Sequence, residues 1–200
     1  MFLTYIVKPW DELNVLLSKP FAFQPGVSDV IRLASDLAVR IRHQAEAASL
    51  DEKAVWAEST ENKIISDVAD AWKHGKLRDS SRDNELFVAS QFECNAENKF
   101  RFLRNIITVK HTTFGEIDFM AICREAICYW IHKLELPINW NGQIAEGPPR
   151  FEDVACLYFN PKYQIKMNTT RIKCVRRNPD GMLEPYDCPE VRLAVHEIAG

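Results

Sequence analysis

Between Asp29 and Leu134 the spacing of apolar residues changes period twice, and this constrains the fold more than any other feature of the chain. Val30, Leu33, Leu37 and Ile41, with Ala34 and Ala38, form a stripe at helical spacing, while Arg32, Asp36, Arg40 and Arg42 point away. Ser28 can cap this helix, which is expected to persist to about Ala48. A short helical piece is expected over Ser49 to Glu58. Another helix, Glu61 to Lys73, buries Ile64, Ile65, Val68, Ala71 and Trp72 and stops at Gly75. The period then becomes β-like. Leu86 to Glu93 and Phe100 to Lys110 are rich in Phe, Val, Ile and Thr, and Asn95-Ala-Glu-Asn98 between them has turn composition, so the pair reads as a hairpin. Helical spacing returns with Ile117, Met120, Ala121, Ile127, Trp130, Ile131 and Leu134, behind a capping box at Thr113-Phe-Gly-Glu116.

Phe2 to Val7 reads as a short strand, and Pro9 and Pro20 bracket a short helix from Trp10 to Ser18. Pro137, Gly142, Gly147, Pro148 and Pro149 mark residues 136–150 as a linker or long loop. Beyond Val154, β-type runs fall near 154–159, 163–167, 171–176 and 191–196, with a strong turn at Asn178-Pro-Asp-Gly181. The expected class is α+β: an N-terminal helical bundle packed with an antiparallel β-hairpin, followed by a C-terminal antiparallel β meander. The expected division is a mainly helical domain over 1–136, a linker over 137–150 and a β-rich extension over 151–200 that could belong to the same domain.

A chain that is 46% hydrophobic and 26% charged is expected to fold, and a net charge of -3 argues against a surface that coats nucleic acid throughout. No run approaches the ~20 apolar residues of a membrane span, and Phe2 to Val7 is too short, with no basic residues before it, for a signal peptide. The expected location is the cytoplasm. The 6 cysteines contain no C-x-x-C pair, and Cys123 and Cys128 fall on one helix, so all read as reduced, mostly buried thiols. No zinc ribbon, redox dithiol or cofactor is expected. Gly-rich phosphate loops, G-x-S-x-G and H-E-x-x-H are absent from the sequence.

Three constellations carry candidate chemistry. Asp67, Asp70 and His74 are spaced to share one helix face, opposite much of the apolar stripe, where carboxylates can orient an imidazole or join it in holding a divalent metal. The competing reading is a solvent-facing Asp70 and His74 pair near a helix end. A basic run, Lys162, Lys166, Arg171, Lys173, Arg176 and Arg177, contains no acid and precedes an acidic stretch. Its basic residues could contact RNA or DNA phosphates, with Lys166, Arg171, Lys173, Arg176 and Arg177 as the candidate contacts, or be neutralised across strands.

The third constellation is Arg104-Asn105-Ile-Ile-Thr-Val-Lys-His111. Its R-x6-H spacing resembles the HEPN superfamily, helical proteins of which many are metal-independent endoribonucleases. That resemblance implies Arg104 at the phosphate, His111 as acid/base at the ribose 2′-hydroxyl and Asn105 positioning them, often across a dimer interface. On a helix this spacing puts both side chains on one face about 10 Å apart. On a strand it puts them on opposite faces roughly 23 Å apart. The run Asp67 to Leu77, with the hairpin and Gly115-Glu-Ile-Asp-Phe119, is also similar to small bacterial proteins with a HEPN-like helical part, over about residues 61–135.

The leading expectation is a non-catalytic binding or assembly component of a bacterial system that meets a protein partner or a second copy of itself. The alternatives are a HEPN-type ribonuclease or toxin using Arg104, Asn105 and His111, and a metal-dependent hydrolase around Asp67, Asp70 and His74.

Overall fold

The computed structural model describes residues 1–75, 77–159 and 170–197. Its class is α+β. The chain forms two compact units: the first comprises Met1–Asn14, Asp29–Phe87 and Ile107–Ile144, the second Val15–Ser28, Val88–Ile106 and Ala145–Gly200.

In the first unit a π-helical turn, Leu3–Val7, runs directly into α1 (Lys8–Leu17). The expected N-terminal strand is therefore not formed. The reason lies in the longer pattern: Ile6, Trp10, Leu13 and Leu17 recur at helical spacing and are all fully or nearly fully buried. α2 (Asp29–Arg42) buries the predicted stripe except Leu33, which is exposed, but the chain breaks at His43 before α3 (Gln44–Ala47), and the Ser28 hydroxyl makes no hydrogen bond. α4 (Glu52–Glu58) is capped by Asp51, whose carboxylate accepts from Ala54 N–H, and α5 (Thr60–His74) by Ser59. Gly75, at φ +70°, ends α5 as expected from a residue free to leave the right-handed region. Trp72 on α5 is half exposed rather than buried.

β1 (Asn84–Cys94) and β2 (Phe100–His111) are neighbouring strands around the turn at Asn95 to Lys99, as the β-type runs indicated. The capping box at Thr113 is not formed. Gly115, at φ +78°, lets the chain fold back as β3 (Gly115–Asp118), antiparallel to β2 with His111 opposite Gly115 and Thr108 opposite Asp118. The Thr113 hydroxyl donates instead to Ser81 O at 2.6 Å. α6 (Phe119–Lys133) therefore starts later than expected, with the Asp118 carboxylate accepting from Met120 and Ala121 N–H. Two buried indoles are satisfied in this unit: Trp10 donates to Met120 O, and Trp130 to the Asn62 side chain.

In the second unit the strand order is β2, β1, β5 (Ile172–Arg177), β6 (Leu183–Pro185), beside a separate pair of β4 (Ala155–Phe159) and β7 (Leu193–Glu197). β5 and β6 form a hairpin across the predicted turn at Asn178 to Gly181, antiparallel, with Arg176 opposite Glu184; the short β6 is not among the expected runs. The rest corrects the expected antiparallel meander. β5 runs parallel to β1, with Phe92 opposite Cys174, and β4 runs parallel to β7. A strand's alternation sets which face it buries, not the direction of a distant partner. The run expected near 163–167 lies outside the described residues. Phe92, Cys94, Phe100, Ala155 and Leu157 form the centre of this unit's core. Among the described residues no helix is long and apolar enough to cross a membrane.

Asp118→Ala should lower the unfolding free energy by about 1 kcal/mol, the ordinary cost of a lost N-cap. Urea denaturation followed by circular dichroism measures this, and an unchanged midpoint would show that β3, rather than the cap, sets where α6 begins.

Candidate functional site

Asp67 and Asp70 sit one helical turn apart on α5, and the structure places both inside the first unit rather than on a solvent face. The Asp67 side chain has no exposure; it accepts from Arg82 Nε at 2.5 Å and from His111 Nε2 at 3.2 Å. Asp70 accepts from Arg82 Nη2 at 2.7 Å and from Arg42 Nη1 at 2.5 Å. Arg42 also reaches Glu52 at 2.9 Å, so this arginine of α2 turns inward, contrary to the expectation that it points away. Arg82 thus bridges two carboxylates with separate nitrogens, and its planar fork suits that task where a lysine would not. Burial works against the charge on Arg82, but its hydrogen bonds to Asp67 and Asp70 hold its pKa above the usual arginine value.

His111, the last residue of β2, also belongs to the network. Thr113 N–H donates to Nδ1 at 3.1 Å, so that nitrogen carries no proton and Nε2 is the donor to Asp67. Phe114 covers the imidazole, with ring centroids 4.9 Å apart. The His111 side chain has zero exposure. It borders a surface cleft lined by Asp83, Lys110, Thr112 and Glu116 only through its backbone. Every nitrogen of the imidazole is engaged, and neither it nor Asp67 can touch a molecule in solvent. His74 is exposed at the end of α5 and stands outside the network. Asp67 and Asp70 are thus brought together without His74, and His111 from the end of β2 takes the place predicted for His74.

The Arg104 to His111 segment is strand throughout. Seven residues along a strand reverse the face and cover roughly 23 Å, so the one-face geometry of a helical R-x6-H motif is not formed. Arg104 and Asn105 are both buried. The Asn105 amide accepts from Ser90 Oγ at 2.7 Å and donates to Lys19 O at 2.9 Å, which makes it a staple within the second unit.

The basic run is also engaged where it is described. Arg176 lies 3.7 Å over the Tyr186 ring and donates to Asn95 O. Arg177 pairs with the buried Glu93 at 3.1 Å and donates to Gly181 O at 2.7 Å. Arg171 and Lys173 flank these on the approach to and along β5. Lys162 and Lys166 lie outside the described residues.

One arrangement was invisible in the sequence. The thiol sulfurs of Cys94, Cys174 and Cys188 lie within 4.8 Å of one another, and all three are free. Burial pushes the Cys94 and Cys174 thiols up from the ordinary cysteine range, and for Cys94 the two neighbouring thiols add to the rise. The pairwise spacings of these cysteines match no ligand motif; the parallel register of β1 and β5 brings Cys94 and Cys174 to one face, and the segment after β6, held by Tyr186 N–H on Cys174 O, brings Cys188.

Asp67→Ala should destabilise the protein by roughly 1 to 3 kcal/mol, because it strips the shared partner from a part-buried guanidinium and a buried imidazole. His74→Ala should cost under about 0.5 kcal/mol, the usual range for an exposed position. Urea unfolding of the two variants in parallel measures the contrast, and equal effects would refute the network as drawn.

Comparison with protein-family models, with curated proteins and with solved structures finds no match to this chain.

Proposed function

We propose that this chain is a non-catalytic binding or assembly component of a bacterial system, acting through contact with a protein partner or a second copy of itself. The observation that carries this reading is the zero exposure of the Asp67 and His111 side chains, each saturated by partners inside the first unit. A general base must reach the proton it abstracts directly or through one water. His111 has no such reach, and its Nδ1 is already occupied by a backbone donor.

A second cleft, of about 490 Å³, lies between α4, α5 and α6 and is lined by Glu58, Glu61, Glu125, Tyr129, His132 and Lys133. The Glu58 carboxylate of this cleft is likewise engaged. Glu58 accepts from Lys133 at 2.7 Å and from Tyr129 at 2.8 Å, and these bonds, the lysine's first, hold its carboxyl below the usual range. A carboxylate kept ionised by two donors is a poor proton donor and a weak base.

The reading is tested by incubating the purified full-length chain with RNA, with chelator and separately with Mg²⁺ or Mn²⁺. The expected result is cleavage no faster than in a protein-free control under every condition. Chelator-insensitive cleavage that His111→Gln abolishes would overturn the reading and establish a HEPN-type nuclease. Metal-dependent cleavage lost in Asp70→Asn would overturn it in favour of a hydrolase.

A further inference from the structure

We propose that Cys94, Cys174 and Cys188 bind one thiophilic cation, Zn²⁺, through three thiolates in the second unit. The three sulfurs lie within 4.8 Å of one another. Tetrahedral zinc at a Zn–S distance of about 2.3 Å holds its sulfurs about 3.8 Å apart. Each sulfur therefore needs to move inward by about half an ångström, a displacement that side-chain torsions supply without backbone change. A disulfide instead requires two sulfurs at about 2.05 Å and leaves the third thiol without a partner.

The backbone that presents these thiols is fixed by sheet hydrogen bonds. β1 and β5 are parallel with Phe92 opposite Cys174. Residues directly opposite share a face, and Cys94 is two residues beyond Phe92, so Cys94 and Cys174 project from the same side of the sheet. Past the end of β6, Tyr186 N–H donates to Cys174 O at 3.0 Å, which ties down the segment that carries Cys188. Three separate stretches of chain are thus locked before any ion arrives. Preorganisation of this kind separates a metal site from three cysteines that merely share a core.

The donor set selects the ion. Three sulfurs with no oxygen or nitrogen among them suit zinc and other soft cations and disfavour Mg²⁺ and Ca²⁺. Phe92, Phe100, Ala155 and Leu157 surround the site with apolar groups, which exclude water and strengthen attraction between cation and thiolate. Cys188 is only partly buried and also lines a cleft of about 300 Å³ with Glu97, Asp153 and Glu190. The cluster therefore has an entry path from solvent, and water from this cleft would fill the fourth position of a tetrahedral site. On binding, each ligating thiol releases its proton to the buffer and a metal–sulfur bond replaces the S–H bond.

This site is independent of the non-catalytic reading above, since an RNA-cleaving chain could hold the same ion. The test uses the full-length chain, reduced and stripped of metal by chelator, then titrated with Co²⁺. The expected result is a thiolate-to-cobalt charge-transfer band with strong visible bands of tetrahedral Co²⁺, saturating at one ion per chain and erased by equimolar Zn²⁺. The bands should vanish in Cys94→Ser, Cys174→Ser and Cys188→Ser and persist in Cys128→Ser and Cys156→Ser. Alkylation of wild-type protein gives a readout that needs no variant to fold: added Zn²⁺ should protect the partly exposed Cys174 and Cys188 and leave the reactivity of Cys128 and Cys156 unchanged. Absence of a charge-transfer band in reduced wild-type protein would overturn the proposal, as would a band that survives Cys188→Ser. A disulfide between two of the three that reforms in the presence of excess Zn²⁺ would overturn it as well.

Discussion

Taking a carboxylate out of water costs several kcal/mol unless donors replace the lost hydration, and Asp67 on α5 has no exposure at all. The first unit is arranged around meeting that demand. Arg82 comes from the short segment between α5 and β1, His111 from the end of β2, and Arg42 from α2 by way of Asp70. Each donor carries its own segment with it, so one buried charge fixes the relation of two helices, a connecting segment and a strand end within the unit. Hydrophobic burial alone would let α2 and α5 slide along each other's apolar stripes. Directional bonds of about 2.5 Å from Arg42 to Asp70 and from Arg82 to Asp67 remove that freedom.

Such a network resembles a reactive site when only its residue types are known. The sequence places two acids and a histidine on α5 and an arginine and a histidine around β2, and each set invites catalytic roles. Burial decides between the readings. A group that performs acid/base chemistry must be perturbed and also reachable, whereas a group that holds a fold need only be satisfied. His111 has both nitrogens in use and a phenyl ring over its face, so its chemistry is spent on position.

What the sequence made legible was local. The stripe of α2, the stop of α5 at Gly75, the hairpin of β1 and β2 and the turn at Asn178 all depend on neighbours within a few residues, and all stand in the structure. Short windows misled where a longer period overrode them. Phe2 to Val7 looks extended until Trp10, Leu13 and Leu17 are counted with Ile6. Thr113 looks like a cap until Gly115 turns the chain back on β2 and Asp118 takes that role. The Arg42, Asp70, Arg82 contacts and the convergence of Cys94, Cys174 and Cys188 were not legible for a different reason. They join segments whose adjacency is a property of the tertiary fold, and no spacing rule encodes it.

The second unit balances its charges differently. Among the described residues its one buried acid, Glu93 on β1, is met by Arg101 at 3.3 Å and by Arg177 at 3.1 Å, so charge compensation there runs across the sheet rather than between helices. Two members of the basic run are therefore committed to the fold: Arg177 to Glu93, and Arg176 to Tyr186 and Asn95. The parallel register that brings Arg177 to Glu93 is the same register that sets Cys174 beside Phe92 and, one repeat along, Cys94. Shifting β5 by one residue would turn Cys174 to the opposite face of the sheet and move Arg177 away from Glu93 together. The ion pair and the meeting of Cys94 with Cys174 are thus two consequences of one strand pairing, and the ion pair guards the register on which that half of the thiol cluster depends.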